Sequence, residues 1–291
     1  MKNGIMVLCT NYKFLEVMLR NLPQEIEGIP FIIILENRLK QTPTKQKVEL
    51  LCESLEIENF RIINATQIVK WFKTESGLNN DFIDNYTMGM NILAQAFIFS
   101  KSKIPGVLFV DDDVIFSEGI AKALRLNKSQ FKYYRLSAGP SHYEQMSSEG
   151  KKGFDELARV TNFKGEYEDY IKSHLSSGNR FLHRSDFDIE MYMGFLKQFF
   201  TSKYFEEKWR YFKETGKGKM AAWYLDEKFE TMAYFTMGII KFGLEPFVVL
   251  ETSKAEKLGK GKLLRRPLWH NATCSHKENV LKILLERGEI V

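Results

Sequence analysis

Residues 5–12 read Ile5-Met6-Val7-Leu8-Cys9-Thr10-Asn11-Tyr12, a continuous apolar run that stops at Thr10 and Asn11. An apolar run without polar alternation is the pattern of a strand buried on both faces, the usual condition of parallel sheets. Beyond it, Phe14, Val17, Met18 and Leu22 recur at near-helical spacing until Pro23 stops them. Phe31-Ile32-Ile33-Ile34-Leu35 repeats the buried-strand pattern and ends in Glu36-Asn37-Arg38. Lys45 to Leu55 reads as an amphipathic helix and Phe60 to Asn64 as a third strand. This β-α-β-α-β alternation predicts right-handed crossovers and an α/β fold: a mainly parallel sheet flanked by helices, an α/β/α sandwich.

Further along, Asn85 to Phe99 reads as one apolar helix and Lys103 to Gly106 as a turn. Val107-Leu108-Phe109-Val110 is the next buried strand, and it runs straight into Asp111-Asp112-Asp113. Ligands of open α/β sheets gather beyond the carboxyl ends of the strands, which is where this acidic run falls. The second half is less regular. Tyr133 to Ala138 reads as a strand, Ser141 to Gly153 as a polar loop, and Phe181 to His183 as a short strand after a turn at Ser176–Asn179. Asp188 to Trp209, Asp226 to Phe242 and Val280 to Arg287 read as helices. No internal repeat and no linker divides the chain, so a single domain over 1–291 is expected.

Composition narrows the class. The chain has 291 residues, 44% of them hydrophobic and 27% charged, which excludes a mostly disordered or collagen-like protein. Its formal charge of +5 allows an anionic partner. Cys9, Cys52 and Cys274 form no C-x-x-C pair, so neither a disulfide scaffold nor a thiolate zinc site is expected. The first residues do not read as a signal peptide, and no window reaches the roughly 20 apolar residues of a membrane span. A cytoplasmic enzyme with no membrane contact is the expectation.

The acidic run carries the chemistry. Three adjacent carboxylates repel one another and call for a compensating cation. Oxygen ligands at the end of a hydrophobic strand suit Mg²⁺ or Mn²⁺, with phosphate oxygens and water completing the shell. In a strand-like backbone Asp111 and Asp113 share a face and Asp112 points away. The plain alternative is a solvated acidic loop. By the strand-end rule, Thr10, Asn11 and Tyr12, with the Tyr12 ring stacking on a base, are candidates to bind a nucleotide, as are Glu36 and Arg38; the alternative is turns that satisfy their own backbone.

Val107 to Phe116 (VLFVDDDVIF) resembles the Asp-x-Asp motif of glycosyltransferases with the GT-A fold. In that family the motif ends a central strand and coordinates a divalent cation on the diphosphate of a nucleotide-sugar. The resemblance implies Mn²⁺ or Mg²⁺ held by Asp111 and Asp113, with Asp112 near the donor. Asn85 to Phe99 (NYTMGMNILAQAFIF) is similar to the helix preceding the motif, which contacts the nucleotide and here carries Asn91. Ser176 to His183 (SSGNRFLH) resembles the acceptor-side segment, in which Gly178 and Asn179 let backbone approach the sugar. Tyr224-Leu225-Asp226-Glu227 resembles the helix start that supplies the catalytic base of inverting members. His270 or His276 stands where many members carry a further metal ligand. His142, His174 and His183 read as surface or hydrogen-bonded core residues. On this resemblance, residues 1–116 form the nucleotide-binding half and 117–291 the acceptor-binding half, and the donor is a nucleoside-diphosphate sugar, foremost a UDP-sugar.

The chemistry that this implies suits the residues. Direct displacement needs a carboxylate to take the acceptor's proton, for which Asp226 and Glu227 are candidates beside Trp223 and Tyr224. The alternative use of both is to cap a helix and complement its dipole. For the acceptor, Lys254 to Arg266 carries four Lys and two Arg against one Glu, including Lys260, Lys262, Arg265 and Arg266. The GT-A resemblance implies a loop that closes over the donor, whose cations would then grip only the diphosphate. Six exceed that need, and with Lys151 and Lys152 they suit a phosphodiester backbone. The chain resembles the fringe-like TET/JBP-associated glycosyltransferases, some of them from phages, and the base J glucosyltransferase. These add sugar to the hydroxymethyl group of a modified pyrimidine in DNA, which here implies host-cell cytoplasm and a flipped base received by Trp223, Tyr224 or Phe181. A glycan or protein acceptor and a non-catalytic nucleic-acid binder are the alternatives. A haloacid-dehalogenase phosphatase is disfavoured because its motif usually opens the chain and has Thr or Val where this chain has Ile115. A sugar nucleotidyltransferase is disfavoured because Thr10-Asn11-Tyr12-Lys13 is no Gly-rich loop.

Overall fold

The computed structural model describes residues 2–26, 28–116, 124–125, 129–133, 147–173, 175–215, 225–239, 268–270 and 286. Strands β1 (Gly4–Cys9), β2 (Phe31–Leu35), β3 (Phe60–Asn64) and β4 (Gly106–Asp111) pair in parallel. β5 (Val114–Phe116) leaves the sheet, which is completed by β6 (Gln130–Tyr133) and β7 (Leu175–His183). The order is β3-β2-β1-β4-β7-β6, with β7 antiparallel to both its neighbours. β8 (Leu268–His270) pairs with β5 as a separate two-stranded ribbon.

The buried runs of the sequence form these strands because both faces of the sheet are covered. Met6, Leu8, Ile32, Ile34, Val107, Phe109 and Leu182 enter the core on one face, while Ile5, Val7, Cys9, Ile33, Leu108, Val110 and Phe181 enter the core on the other. That alternation is the two-residue period of a strand with no wet side. The first face packs against α3 (Ala65–Ser76), α4 (Asp81–Asn85), α5 (Met90–Lys101), α6 (Ser148–Val160), α7 (Tyr167–Ser173), α8 (Ile189–Thr201), α9 (Lys203–Thr215) and α10 (Leu225–Thr236). The second packs against α1 (Tyr12–Arg20), α2 (Lys45–Ser54) and β5. The result is the mainly parallel α/β/α sandwich that the strand and helix alternation predicted.

Several elements differ from the sequence reading. The stretch 85–99 is not one helix: α4 ends at Asn85, Tyr86 leaves helical geometry at ψ 77°, a 3₁₀ turn covers Thr87–Gly89, and α5 starts at Met90. Asp188 to Trp209 is two helices parted at Ser202, whose hydroxyl donates to Glu156 at 2.5 Å and accepts from Phe205 N, so that it starts α9. The apolar period runs through this break, which hides it. Ser176–Asn179 is not a turn but part of β7. Ser147 caps α6 inside the segment read as a loop, its oxygen accepting from Gly150 N at 3.1 Å. α10 begins at Leu225 and ends at Thr236, with Gly238 at φ +70° just beyond. The strand read at 133–138 is Gln130–Tyr133, and residues 134–138 lie outside the described residues, as does nearly all of the helix read at 280–287. Helix α3 was missed, although Asn64 and Gln67 form a capping box at its start.

Gly89 makes the kink before α5 possible. A Cβ there would sit 2.3 Å from Tyr86 Cδ1, and the Tyr86 ring is fully buried against Phe82, Phe199 and Trp209. The ring has nowhere to go. Gly89→Ala is therefore expected to cost about 1–3 kcal/mol, the range for forced overpacking, measured by urea denaturation.

Candidate functional site

Asp111 is the last residue of β4 and stands opposite Leu8 of β1 in the ladder. The strand ends there. Asp112 and Asp113 form a turn into β5, so the alternation expected of an extended backbone does not hold across the triplet. Asp112 instead bends toward β1, and its Oδ2 accepts from Thr10 N at 2.6 Å, Thr10 Oγ1 at 3.1 Å and Asn11 N at 2.7 Å. These donors lie at the start of α1, where the helix dipole also favours a negative charge. Burial nevertheless pushes the Asp112 carboxyl up to about 7, helped by repulsion from Asp113 and then Asp111 and opposed by the Thr10 and Asn11 amides. Asp113 is buried as well.

Thr10 and Asn11 thus spend their N–H groups on Asp112, and the Asn11 side chain accepts from Lys13 N to cap α1. The Tyr12 ring carries Lys47 Nζ 3.6 Å above its centroid. At the next strand end, Glu36 is buried and Arg38 grips it with two hydrogen bonds of 2.7 and 2.6 Å, while Arg38 Nη1 donates to Asp84 O at 3.1 Å. Glu36 and Arg38 therefore tie β2 to the end of α4. An open groove of about 550 Å³ runs beside them, lined by Arg38, Thr66, Lys70, Lys73 and Asp84 among others, but it includes none of the acidic turn. Lys73 there is paired with Asp84 at 2.8 Å.

The ribbon strand brings a histidine position to the acidic turn. β8 sets His270 opposite Val114, the residue after Asp113. His276 lies outside the described residues, as do Trp223, Tyr224, Lys260, Lys262, Arg265 and Arg266. Asn91 is buried in the first turn of α5. Gly178 and Asn179 lie in β7, further along from Arg180, which pairs with Phe109; since β7 runs antiparallel to β4, they stand toward the end that carries Asp111. Asp111 and Asp113 offer hard oxygen donors of the kind that suits Mg²⁺ or Mn²⁺. By themselves the described residues gather no group of three His, Cys, Asp or Glu side chains able to hold an ion.

Asp226 and Glu227 occupy the first turn of α10, both buried. Burial, then repulsion from Glu230 and Glu227, holds the Asp226 carboxyl well above the usual range, with Arg180 pulling the other way, and its Oδ1 has no hydrogen-bond partner among the described residues.

Sequence reading missed what holds this turn. Arg180, on β7, is 2% exposed and its Nη1 donates to Glu230 Oε2 on α10 at 2.5 Å. The other Glu230 oxygen accepts from Gln95 Nε2 on α5 at 2.5 Å. Gln95 Oε1 in turn accepts from the Tyr192 hydroxyl at 3.2 Å and from the Tyr234 hydroxyl. The network joins β7, α5, α8 and α10 at their buried faces. The one available signal was Gln95, a polar residue inside the apolar run Ile92 to Phe99. Burial pushes Glu230 up to about 7, against the pull of Arg180 and the Gln95 amide, with Glu227 and Asp111 adding to the rise.

The chain matches no protein-family profile and no curated protein. Two crystal structures of the glycosyltransferase GlyE from Streptococcus pneumoniae TIGR4, one in its apo form, are similar to it at TM-score 0.43 and 9% identity over 99–100% of this chain. This chain spans 64% and 65% of their length. Core-mannan synthase A (CmsA/Ktr4) from Aspergillus fumigatus, in a Mn/GDP form, is similar at TM-score 0.34 and 10% identity, over 68% of this chain and 64% of its own. Likenesses this distant leave the fold to be read from the sheet and the activity from the site.

Glu230 sets a pH dependence. Its folded pKa lies above the ordinary 4.5, at about 7, so the folded chain binds a proton that the unfolded chain releases earlier. The stability that this contributes is complete below about pH 4.5 and is lost as pH rises through about 7. Urea melts between about pH 5 and 8 are expected to show a falling midpoint in the native chain and a flatter profile in Glu230→Gln.

Proposed function

We propose that the chain is a divalent-metal-dependent glycosyltransferase that moves a sugar from a nucleoside-diphosphate sugar to an acceptor hydroxyl with inversion. One observation carries the reading: a turn of three acids ends the central strand β4, with the His270 position paired beside it. Asp111 and Asp113, with His270 or His276, would hold the ion. When bound, the ion supplies positive charge against the leaving diphosphate. The rest falls to the chain. Asp112 fixes the turn against β1 through Thr10 and Asn11, so the two flanking carboxylates keep their spacing. Asp226 or Glu227, both buried on the first turn of α10, accepts the proton of the acceptor hydroxyl. Gly178 and Asn179 offer backbone to the sugar.

A thermal shift with Mn²⁺ and UDP, and separately with Mn²⁺ and GDP, tests this reading. At ligand near 100 times Kd the linkage is about 2.7 kcal/mol, enough to raise the midpoint by several degrees. Asp113→Asn is expected to lose that shift and Mn²⁺-dependent hydrolysis of the sugar nucleotide, whereas no shift in the native chain sinks the proposal.

For the acceptor, the six cations between Lys254 and Arg266 favour DNA carrying a hydroxymethyl-pyrimidine, with Lys260, Lys262, Arg265 and Arg266 on the backbone and Trp223 and Tyr224 receiving the base. Labelled sugar is expected to reach hydroxymethylated DNA and not plain DNA; equal labelling of the two removes DNA as the specific acceptor.

A further inference from the structure

Arg180 has an edge left over. Its Nη1 is committed to Glu230, but its Nε and Nη2 are buried and have no hydrogen-bond partner among the described residues. These two nitrogens form the side-on fork of a guanidinium, two parallel donors that suit a pair of oxygen atoms. Buried donors without partners are rare in native structures because leaving them unmade is costly. The position is as telling. Arg180 stands opposite Phe109, so its side chain shares the sheet face of Phe109 and, two residues on, of Asp111. Asn179 and Gly178 follow it along β7 toward the end of β4.

We propose that this edge of Arg180 is a specificity-determining contact for the transferred sugar, and that it selects an uncharged one; the proposal rests on the glycosyl-transfer reading above. The sign follows from the neighbours. The Arg180 charge is already matched by Glu230, and Asp111 acts on it as well. An incoming carboxylate, as on a uronate, would add a further negative charge beside Glu230, Asp226 and Asp111. A hydroxyl or ring oxygen accepts from the fork without adding charge. Asp226 Oδ1, buried and also without a partner among the described residues, supplies the matching acceptor, and Arg180 is close enough to lower the Asp226 pKa. A hydroxyl both accepts and donates, so neighbouring hydroxyls of a neutral hexose satisfy both groups. Asp226 so occupied leaves Glu227 as the carboxylate that takes the acceptor's proton.

The test is calorimetric titration of the native chain with Mn²⁺ and, in turn, UDP, UDP-glucose and UDP-glucuronate, with GDP, GDP-mannose and GDP-mannuronate as the guanosine series. In the series that binds, the neutral sugar is expected to bind about tenfold more tightly than the bare diphosphate, and the uronate no more tightly than the diphosphate. Arg180→Lys keeps a cation for Glu230 and loses the fork, so it is expected to remove the sugar's advantage and leave affinity for the bare diphosphate unchanged. The native-chain comparison stands even if that variant folds poorly. A uronate bound as tightly as the neutral sugar, or a folded Arg180→Lys that weakens diphosphate and sugar nucleotide alike, overturns the proposal while the diphosphate site stands. Failure of every diphosphate to bind overturns both.

Discussion

A carboxylate taken out of water at the end of a strand must find donors or a cation, and Asp112 finds the amides of Thr10 and Asn11. That bond decides the shape of the whole sheet end. It bends the chain out of β4 as a turn, fastens the turn to the start of α1, and leaves Asp111 and Asp113 on either side of a fixed point. The chain then enters β5, whose pairing with β8 brings in residues from more than 150 positions away. With Asp112 replaced by an apolar residue, the Thr10 and Asn11 donors would lose their acceptor and the turn would have no reason to hold its form.

The second constraint lies deeper. Arg180 and Glu230 are both almost fully enclosed, and a buried ion pair of this kind repays its desolvation only when the remaining hydrogen-bonding capacity is also used. Glu230 meets that condition, with one oxygen on Arg180 and the other on Gln95. Arg180 meets it in part. An incompletely satisfied buried cation is a poor way to stabilise a fold, and an apolar pair of similar size would serve stability better. Its position under the strand end, beside the first turn of α10, is what the proposed sugar contact would use.

The parallel half of the sheet was legible because each strand is a run of apolar residues bounded by polar ones, and a strand covered on both faces leaves no other pattern. The acidic turn was legible for a related reason: three carboxylates directly after four apolar strand residues are out of place unless the strand ends there. The direction of Asp112 was not, since it depends on amides a hundred residues earlier in the chain. The breaks at Tyr86–Gly89 and Ser202 were hidden because the apolar period continues through them, and only the fit of the Tyr86 ring against Gly89 and the bond from Ser202 to Glu156 shows why the chain turns. Arg180 was passed over inside a segment read as turn and short strand, where the antiparallel pairing of β7 with β4 makes it a central residue.

The acids of α10 bring these two constraints together. Placed at a helix start, Asp226 and Glu227 would ordinarily be solvated residues complementing the dipole. Here they are buried, and the helix that carries them is pinned from below by Glu230, one turn further on, to Arg180 of β7 and Gln95 of α5. The pin fixes the first turn of α10 relative to the strand that bears Asp111. Burial, with repulsion from Glu227 added, works against folding and raises the proton affinity of Asp226 and Glu230, and Glu230 adds to the rise at Asp226. The two effects have one origin: carboxyl groups kept from water next to too few cations are costly to the fold, and for the same reason are strong acceptors of a proton when a hydroxyl reaches them.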